Sequence, residues 1–410
     1  MSQLSHSRSL PPAFRRLAWS NLIAQSAEQI GLAAAPMIAV LALGAGAGAT
    51  GFLTAAQTLP FLLLSFPLGV LTDRTARRSL MALAEGLRTV ALLLLPLLVA
   101  FGWLTVPLLA LIGFAAATGT VAFSVAAPAL VPALVPRPDL AAANGKLELA
   151  RSAAFAGGPA LAGALVGWLG ASPTFIVAAA LSAAAAVLLV GVPEPQRPAL
   201  PPRHILHDLE EGAGFAWRHA WLRPILLTAV VWNLAWFVLQ AAYVPYAVHR
   251  LGLSATGVGS TLAVYGIGMI AGALLAPRIS QAMSFGSAVA FGPLVSVVAA
   301  AVMMATLWWP SAALAAISFF LFGAGPIVWV IASTTLRQAV TPEGLLGRVS
   351  ALFMTANTGA RPIGAALGGF IGASWGPEAC IVVAGFGFLI QAIVILRSPV
   401  PALAQLPAAV

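Results

Sequence analysis

The 410 residues are 60% hydrophobic and only 8% charged, with a mean hydropathy of +0.98. A soluble domain carries roughly a quarter charged residues, so this composition excludes one and points to a polytopic membrane protein. The formal net charge of +9 comes from 20 Lys and Arg against 11 Asp and Glu, placed in short turns between apolar runs; that pattern argues against nucleic acid as a partner and reads as membrane topology.

Chemistry is bounded in the same way. Cys380 stands alone, so there is no disulfide framework and no cysteine metal site. The five His residues show no ligand spacing, and no Walker-type phosphate loop occurs. No nucleophile–base constellation is visible, so the chain does not read as an enzyme. No cofactor and no metal are expected.

The tail from Met1 to Pro12 is polar, and the run after it is too long and too polar at its start for a cleaved signal peptide. A membrane crossing takes about 20 apolar residues in a helix. Twelve such stretches follow, near 18–43, 51–71, 79–101, 104–130, 141–169, 172–192, 221–247, 254–277, 285–308, 311–336, 345–372 and 375–397. The one long polar stretch, Pro193 to Arg223, begins Pro-rich and continues through Asp208, Glu210 and Glu211 to Phe215, Trp217 and Trp221, a linker with an amphipathic interfacial helix. The expected organisation is therefore an all-α membrane protein: an N-terminal six-helix bundle (1–192), a linker (193–220) and a C-terminal six-helix bundle (221–410).

The basic residues set the orientation. Arg8, Arg15 and Arg16, then Arg74, Arg77 and Arg78, then Arg197, Arg203, Arg218 and Arg223 fall on one side, with Arg137, Arg278, Arg337, Arg348 and Arg397; Arg250 alone falls on the other. Both termini are expected in the cytoplasm, in a bacterial-type inner membrane. Two short matches repeat at half-chain offsets. Leu43-Gly44 with Gly51 returns as Leu251-Gly252 with Gly259, and Pro138-Asp139-Leu140 returns as Pro342-Glu343-Gly344-Leu345. They favour two pseudo-symmetric bundles.

After the second span the chain reads G-x-L-x-D-R-x-x-R-R, with Gly69, Asp73, Arg74, Arg77 and Arg78 in place. With twelve spans and a cytoplasmic central loop, it resembles the major facilitator superfamily, whose signature loop usually has a second Gly where this chain has Ala76. The resemblance implies that Asp73 locks the inward-closed arrangement against the positive end of the eleventh helix; the plainer reading is a topogenic loop. In the fifth span, Gly158-Pro159 with Gly163 resembles the GPxxGG motif of drug-exporting members, here GPxxAG. Pro159 loosens the helix while Gly163 and Gly167 allow close approach, so this segment is a helix-bending candidate, with ordinary small-residue packing as the alternative. With Ala143-Asn144 and Gly347-Arg348, the chain resembles the twelve-span proton-linked exporters of macrolides and siderophores. The fourth span lacks the Arg-centred motif of related antiporters and offers only Thr118 and Thr120 near its middle.

Charges inside the spans are functional candidates because each is costly in hydrocarbon. Glu28, flanked by Gln25 and Gln29, reads either as a protonation or substrate site or as a Glu paired with Arg151 or Arg361. Glu85 with Arg88, and Glu148 with Arg151, stand three apart on one helix face. The first pair reads as self-neutralised near the cytoplasmic end; for the second, structural and coupling roles stay open. Arg361, one turn past Asn357, is either a partner of Glu28 or an anion-binding group. Asn233, Trp236, Phe237 and Gln240 form one helical stripe, and with Tyr243, Tyr265 and Trp329 they form a candidate cavity lining of rings and amides. The expected activity is alternating-access export of a small amphipathic compound (drug, macrolide or siderophore-like) by proton antiport. The partners are protons, the bilayer and a small-molecule substrate, and the chain acts as a monomer. Uptake of a metabolite, lipid translocation, and a non-transporting receptor or scaffold are the rivals.

Overall fold

The computed structural model describes residues 11–136, 139–194 and 205–407, and these form helices joined by short turns. In the first half run α1 (Pro12–Leu43), α2 (Ala47–Arg74), α3 (Arg77–Ala100), α4 (Val106–Leu134), α5 (Leu140–Leu169) and α6 (Ala171–Val190). A short helix, α7 (Ile205–Arg218), follows the polar stretch. The second half holds α8 (Leu222–His249), α9 (Ala255–Ala282), α10 (Phe285–Ala305), α11 (Ala312–Val340) and α12 (Glu343–Leu396). Arg8, Arg137, Pro138, Arg197 and Arg203 lie outside the described residues, as do the side chains of Gly69, Asp73, Arg74, Asn144, Asp208 and Glu343.

Among the described residues, eleven helices are long and apolar enough to span a membrane. They supply twelve crossings because α12 is two helices. Its 54 residues would run about 80 Å at 1.5 Å per residue, far beyond a hydrocarbon core of about 30 Å. Gly376, at φ +83° and ψ 169°, breaks it into arms 343–375 and 377–396. That φ suits glycine and strains any residue with a Cβ. Several helices exceed their apolar stretches. α1 starts at Pro12 instead of near 18, because proline fits the first helical turn and Phe14 and Leu17 are fully buried there.

The chain reverses at each short turn, so the helices share two ends. One, the terminal end, carries the start of α1, the end of α12 and α7; the other is the far end. The arginines of the described turns cluster at the terminal end, and Arg250 closes α8 at the far end. Trp103, Trp168, Trp308, Trp309 and Trp375 ring the far end, each at least 66% exposed, as indoles do at a membrane–water interface.

The halves meet along two seams, α2 against the first arm of α12 and α5 against α9. Both depend on absent side chains. A Cβ on Gly51 would lie 2.2 Å from the Gly369 Cα, and a Cβ on Gly163 would lie 2.8 Å from the Gly259 Cα. Such backbone contact is the small-residue packing that holds helices together in lipid. The hydrogen bonds crossing between the halves, among the described residues, are also at the far end: the Thr50 hydroxyl donates to the Ala241 carbonyl at 2.6 Å and the Thr256 hydroxyl to the Gly163 carbonyl at 3.4 Å.

The buried apolar residues repeat this asymmetry. One cluster spans both halves at the far end, running from Ile30, Leu53 and Leu109 to Tyr243, Phe319 and Phe388. At the terminal end the core forks. Phe14, Leu80, Val131 and Leu189 form one branch within the first half, and Leu222, Leu336, Val349 and Ile395 form the other within the second.

Candidate functional site

A cavity of about 360 Å³ sits between the halves where the core forks. Each half contributes a helical stripe. On α8 the whole predicted stripe of Asn233, Trp236, Phe237 and Gln240 lines it, and Tyr265 joins from α9. Facing them, α2 presents Thr54, Gln57, Thr58 and Phe61 at the same i, i+3, i+4, i+7 spacing. The α2 stripe escaped the sequence reading, although Gln57-Thr58 within an apolar run was its available signal. Trp236 is the hub of the rings, stacked on Trp232 at 5.4 Å between centroids and close to Tyr265 at 5.0 Å and Phe322 at 5.2 Å.

Four charged side chains line this cavity: Glu28, Arg88, Arg151 and Arg361. Two are neutralised by their own helices. Arg88 pairs with Glu85 at 2.8 Å, and their side chains are 3% and 0% exposed. The pair is self-neutralised, as its spacing on one helix face implied, and its side chains are buried inside the bundle. Arg88 also donates to the Ala24 carbonyl on α1 at 3.2 Å and to the Thr120 hydroxyl on α4 at 2.6 Å, while the Ser182 hydroxyl on α6 donates to Glu85 at 2.5 Å. Four helices are thus tied to one ion pair, both members of which are hydrogen-bonded beyond each other. Arg151 pairs with Glu148 at 2.5 Å in a more exposed setting, with Arg151 lying over the Phe155 ring.

Glu28 and Arg361 differ. Among the described residues, no hydrogen bond or ion pair is made by Glu28, and none joins it to Arg361. The Arg361 guanidinium lies 5.7 Å from the Phe61 ring centroid and 5.8 Å from that of Phe237, and its Nε has no hydrogen-bond partner. The pairing of Glu28 with Arg151 or Arg361, one of the two sequence readings, is not present.

Other sequence candidates fall elsewhere. Gln25 and Asn357 do not line the cavity, and the Asn357 Oδ1 is buried without a partner. Tyr243 is fully buried behind it, donating to the Thr261 hydroxyl at 2.5 Å with its ring edge-on to Phe319. Trp329 faces a separate small void beside Gln391. Gly158 lets α5 meet α1 at Gln29, and Pro159 and Gly163 lie against Gly259 of α9. The segment carries close packing within one continuous helix.

At the terminal end, the signature turn has a partner the sequence did not reveal. The Glu194 carboxylate accepts from the backbone N–H groups of Arg77 and Arg78, both at 2.9 Å, and so caps α3. The Arg78 guanidinium donates to the Val192 carbonyl at 3.3 Å and Arg16 to the Gly191 carbonyl at 2.7 Å, which satisfies acceptors past the end of α6. In the second half, Arg348 on α12 pairs with Glu211 on α7.

Comparison with known proteins places this geometry among transporters. The family model described as Major Facilitator Superfamily matches residues 17–365. An uncharacterized MFS-type transporter, y4rN, of Sinorhizobium fredii is 29% identical over 85% of this chain and 86% of its own length. The enterobactin exporter EntS of Shigella boydii is 29% identical over 80% of this chain and 78% of its own. The crystal structure of a bacterial homologue of the iron transporter ferroportin, in an inward-facing state, superposes with a TM-score of 0.73 at 19% identity, covering 94% of this chain and 98% of that one.

Proposed function

Because this chain belongs to the Major Facilitator Superfamily, we propose that it exports a small amphipathic compound across a bacterial-type inner membrane by proton antiport. Glu28 carries the coupling proton. The observation behind this reading is a carboxylate without a partner, lining a ring-and-amide cavity between the two halves. Such a carboxylate is costly to keep charged unless water or a ligand reaches it, so it is suited to take up and release a proton. Outward direction is supported by relatives named as enterobactin exporters. The excess of arginine at the terminal end supports cytoplasmic termini, which makes the described arrangement, closed at the far end and forked at the terminal end, inward-facing.

In the transport cycle the halves, 1–192 and 221–410, rock about the cavity with 193–220 as their link. Asp73 closes the cytoplasmic side, and the close-packed Gly158-Pro159…Gly163 segment of α5 accommodates the tilt. Efflux from proteoliposomes tests the reading. Wild-type protein should expel at least one member of a panel of drugs, siderophores and lipids when a pH gradient is imposed, and movement only with an imposed uptake gradient would reverse the assigned direction. The gate has its own readout. Asp73→Asn should raise labelling of a cysteine introduced in the cytoplasmic half of the cavity, and unchanged labelling would count against it.

A further inference from the structure

We propose that the transported molecule is a zwitterion with an aromatic or otherwise flat apolar body, its cationic group received by Glu28 and its anionic group by Arg361. This rests on the cavity being the substrate site of the exporter proposed above. Of the four charges lining the cavity, two are cancelled, Arg88 by Glu85 and Arg151 by Glu148. What remains is one carboxylate and one guanidinium, opposite in sign and not in contact with each other. A purely anionic ligand would satisfy Arg361 and be repelled by Glu28; a purely cationic one would do the reverse. A molecule with both charges meets both groups and leaves the filled cavity neutral, so neither charge stays uncompensated at low dielectric.

The surroundings point the same way. Phe61 and Phe237 engage the Arg361 guanidinium through their rings and, among the described residues, no carboxylate pairs with it, so its charge is left for an acceptor on the ligand. Trp236 and Tyr265, packed together, line the cavity and give the body of the ligand an aromatic wall. A cation bound at Glu28 also competes with a proton there, as antiport requires; an anion alone would favour proton and substrate binding together.

Fluorescence titration of the purified full-length protein with four probes sharing one fluorophore tests this: dansyl-lysine (both charges), dansylcadaverine (cation), dansylglycine (anion) and dansylamide (neutral). Wild type should bind dansyl-lysine tightest, roughly tenfold or more above dansylamide, as charge-assisted hydrogen bonds imply. Glu28→Gln should make dansylglycine the preferred probe and Arg361→Gln should make it dansylcadaverine. The same order of probes in all three proteins, or wild-type preference for a singly charged probe, overturns the proposal. Should Arg361→Gln fail to fold, Arg361→Lys carries the test: it should retain the wild-type order, and a switch to dansylcadaverine overturns the assignment. The titration reads binding without a gradient. Loss of the charge order with gradient-driven efflux intact removes only this proposal, and loss of efflux with the charge order intact removes only the export reading.

Discussion

At the scale of single residues, the buried charges divide into those that hold the bundle and those that face the cavity. Glu85 belongs to the first group. Removing its charge strands Arg88 among α1, α3 and α4, so Glu85→Leu should destabilise the protein by about 3–5 kcal/mol, whereas Glu85→Leu with Arg88→Met should recover most of that loss. Thermal unfolding in detergent, monitored by circular dichroism, checks both; equal losses in the single and double variants would contradict the ion-pair account. Glu28 and Arg361 were legible because a charge inside an apolar run is conspicuous. Their separation was not, since pairing between helices depends on rotations that sequence spacing does not encode. Tyr243 shows the same limit. It follows the α8 stripe, but it faces Thr261 on α9, and only tertiary packing distinguishes it from Trp236. Glu194 was invisible because its partners are backbone N–H groups 117 and 116 positions earlier.

At the scale of elements, span number and order were readable from hydropathy, because a crossing needs a fixed apolar length. The ends were less readable: α1 begins before its expected span and α4 runs past its own, where Phe14, Leu17, Val131 and Leu134 are buried. The seam between α5 and α9 is the element on which closure of the far end depends. A side chain at Gly259 would meet the Pro159 carbonyl at 2.4 Å. Gly259→Leu should therefore weaken the closed far end by about 1–3 kcal/mol, the usual cost of overpacking. Spin labels at Trp103 and Trp309, on opposite halves of that end, should report a longer mean distance in the variant by double electron–electron resonance; an unchanged distance would show that the seam does not set closure. The α7–α8 junction should depend on pH. The His219 Nδ1 accepts from the N–H groups of Trp221 at 3.2 Å and Leu222 at 3.4 Å, and partial burial lowers its pKa below the ordinary histidine value of 6.5. A lowered histidine pKa favours the neutral, accepting form, so its contribution is complete above that ordinary value and is lost as pH falls through the lowered one. Proteolysis near residue 219 should accelerate on acidification from neutral pH, and His219→Ala should be fast at every pH; a wild-type rate independent of pH would refute the role.

At the scale of the whole molecule, the two halves share one core at the far end and keep separate cores at the terminal end, with the cavity at the fork. Bundle number and the family resemblance were readable in the sequence because duplication and the signature turn leave local marks. The conformational state was not, because the transport cycle proposed above requires the same sequence also to form the opposite arrangement, with the seams opened at the far end. The central claim is that movement of the halves is coupled to a proton on Glu28. The most direct measurement is pH-gradient-driven efflux from proteoliposomes alongside counterflow exchange at equal pH, in wild type, Glu28→Gln and Glu28→Asp. The account predicts that Glu28→Gln loses gradient-driven efflux while retaining exchange at saturating substrate, with its affinity for substrate lowered, and that Glu28→Asp retains both. Gradient-driven efflux at the wild-type rate in Glu28→Gln would contradict it.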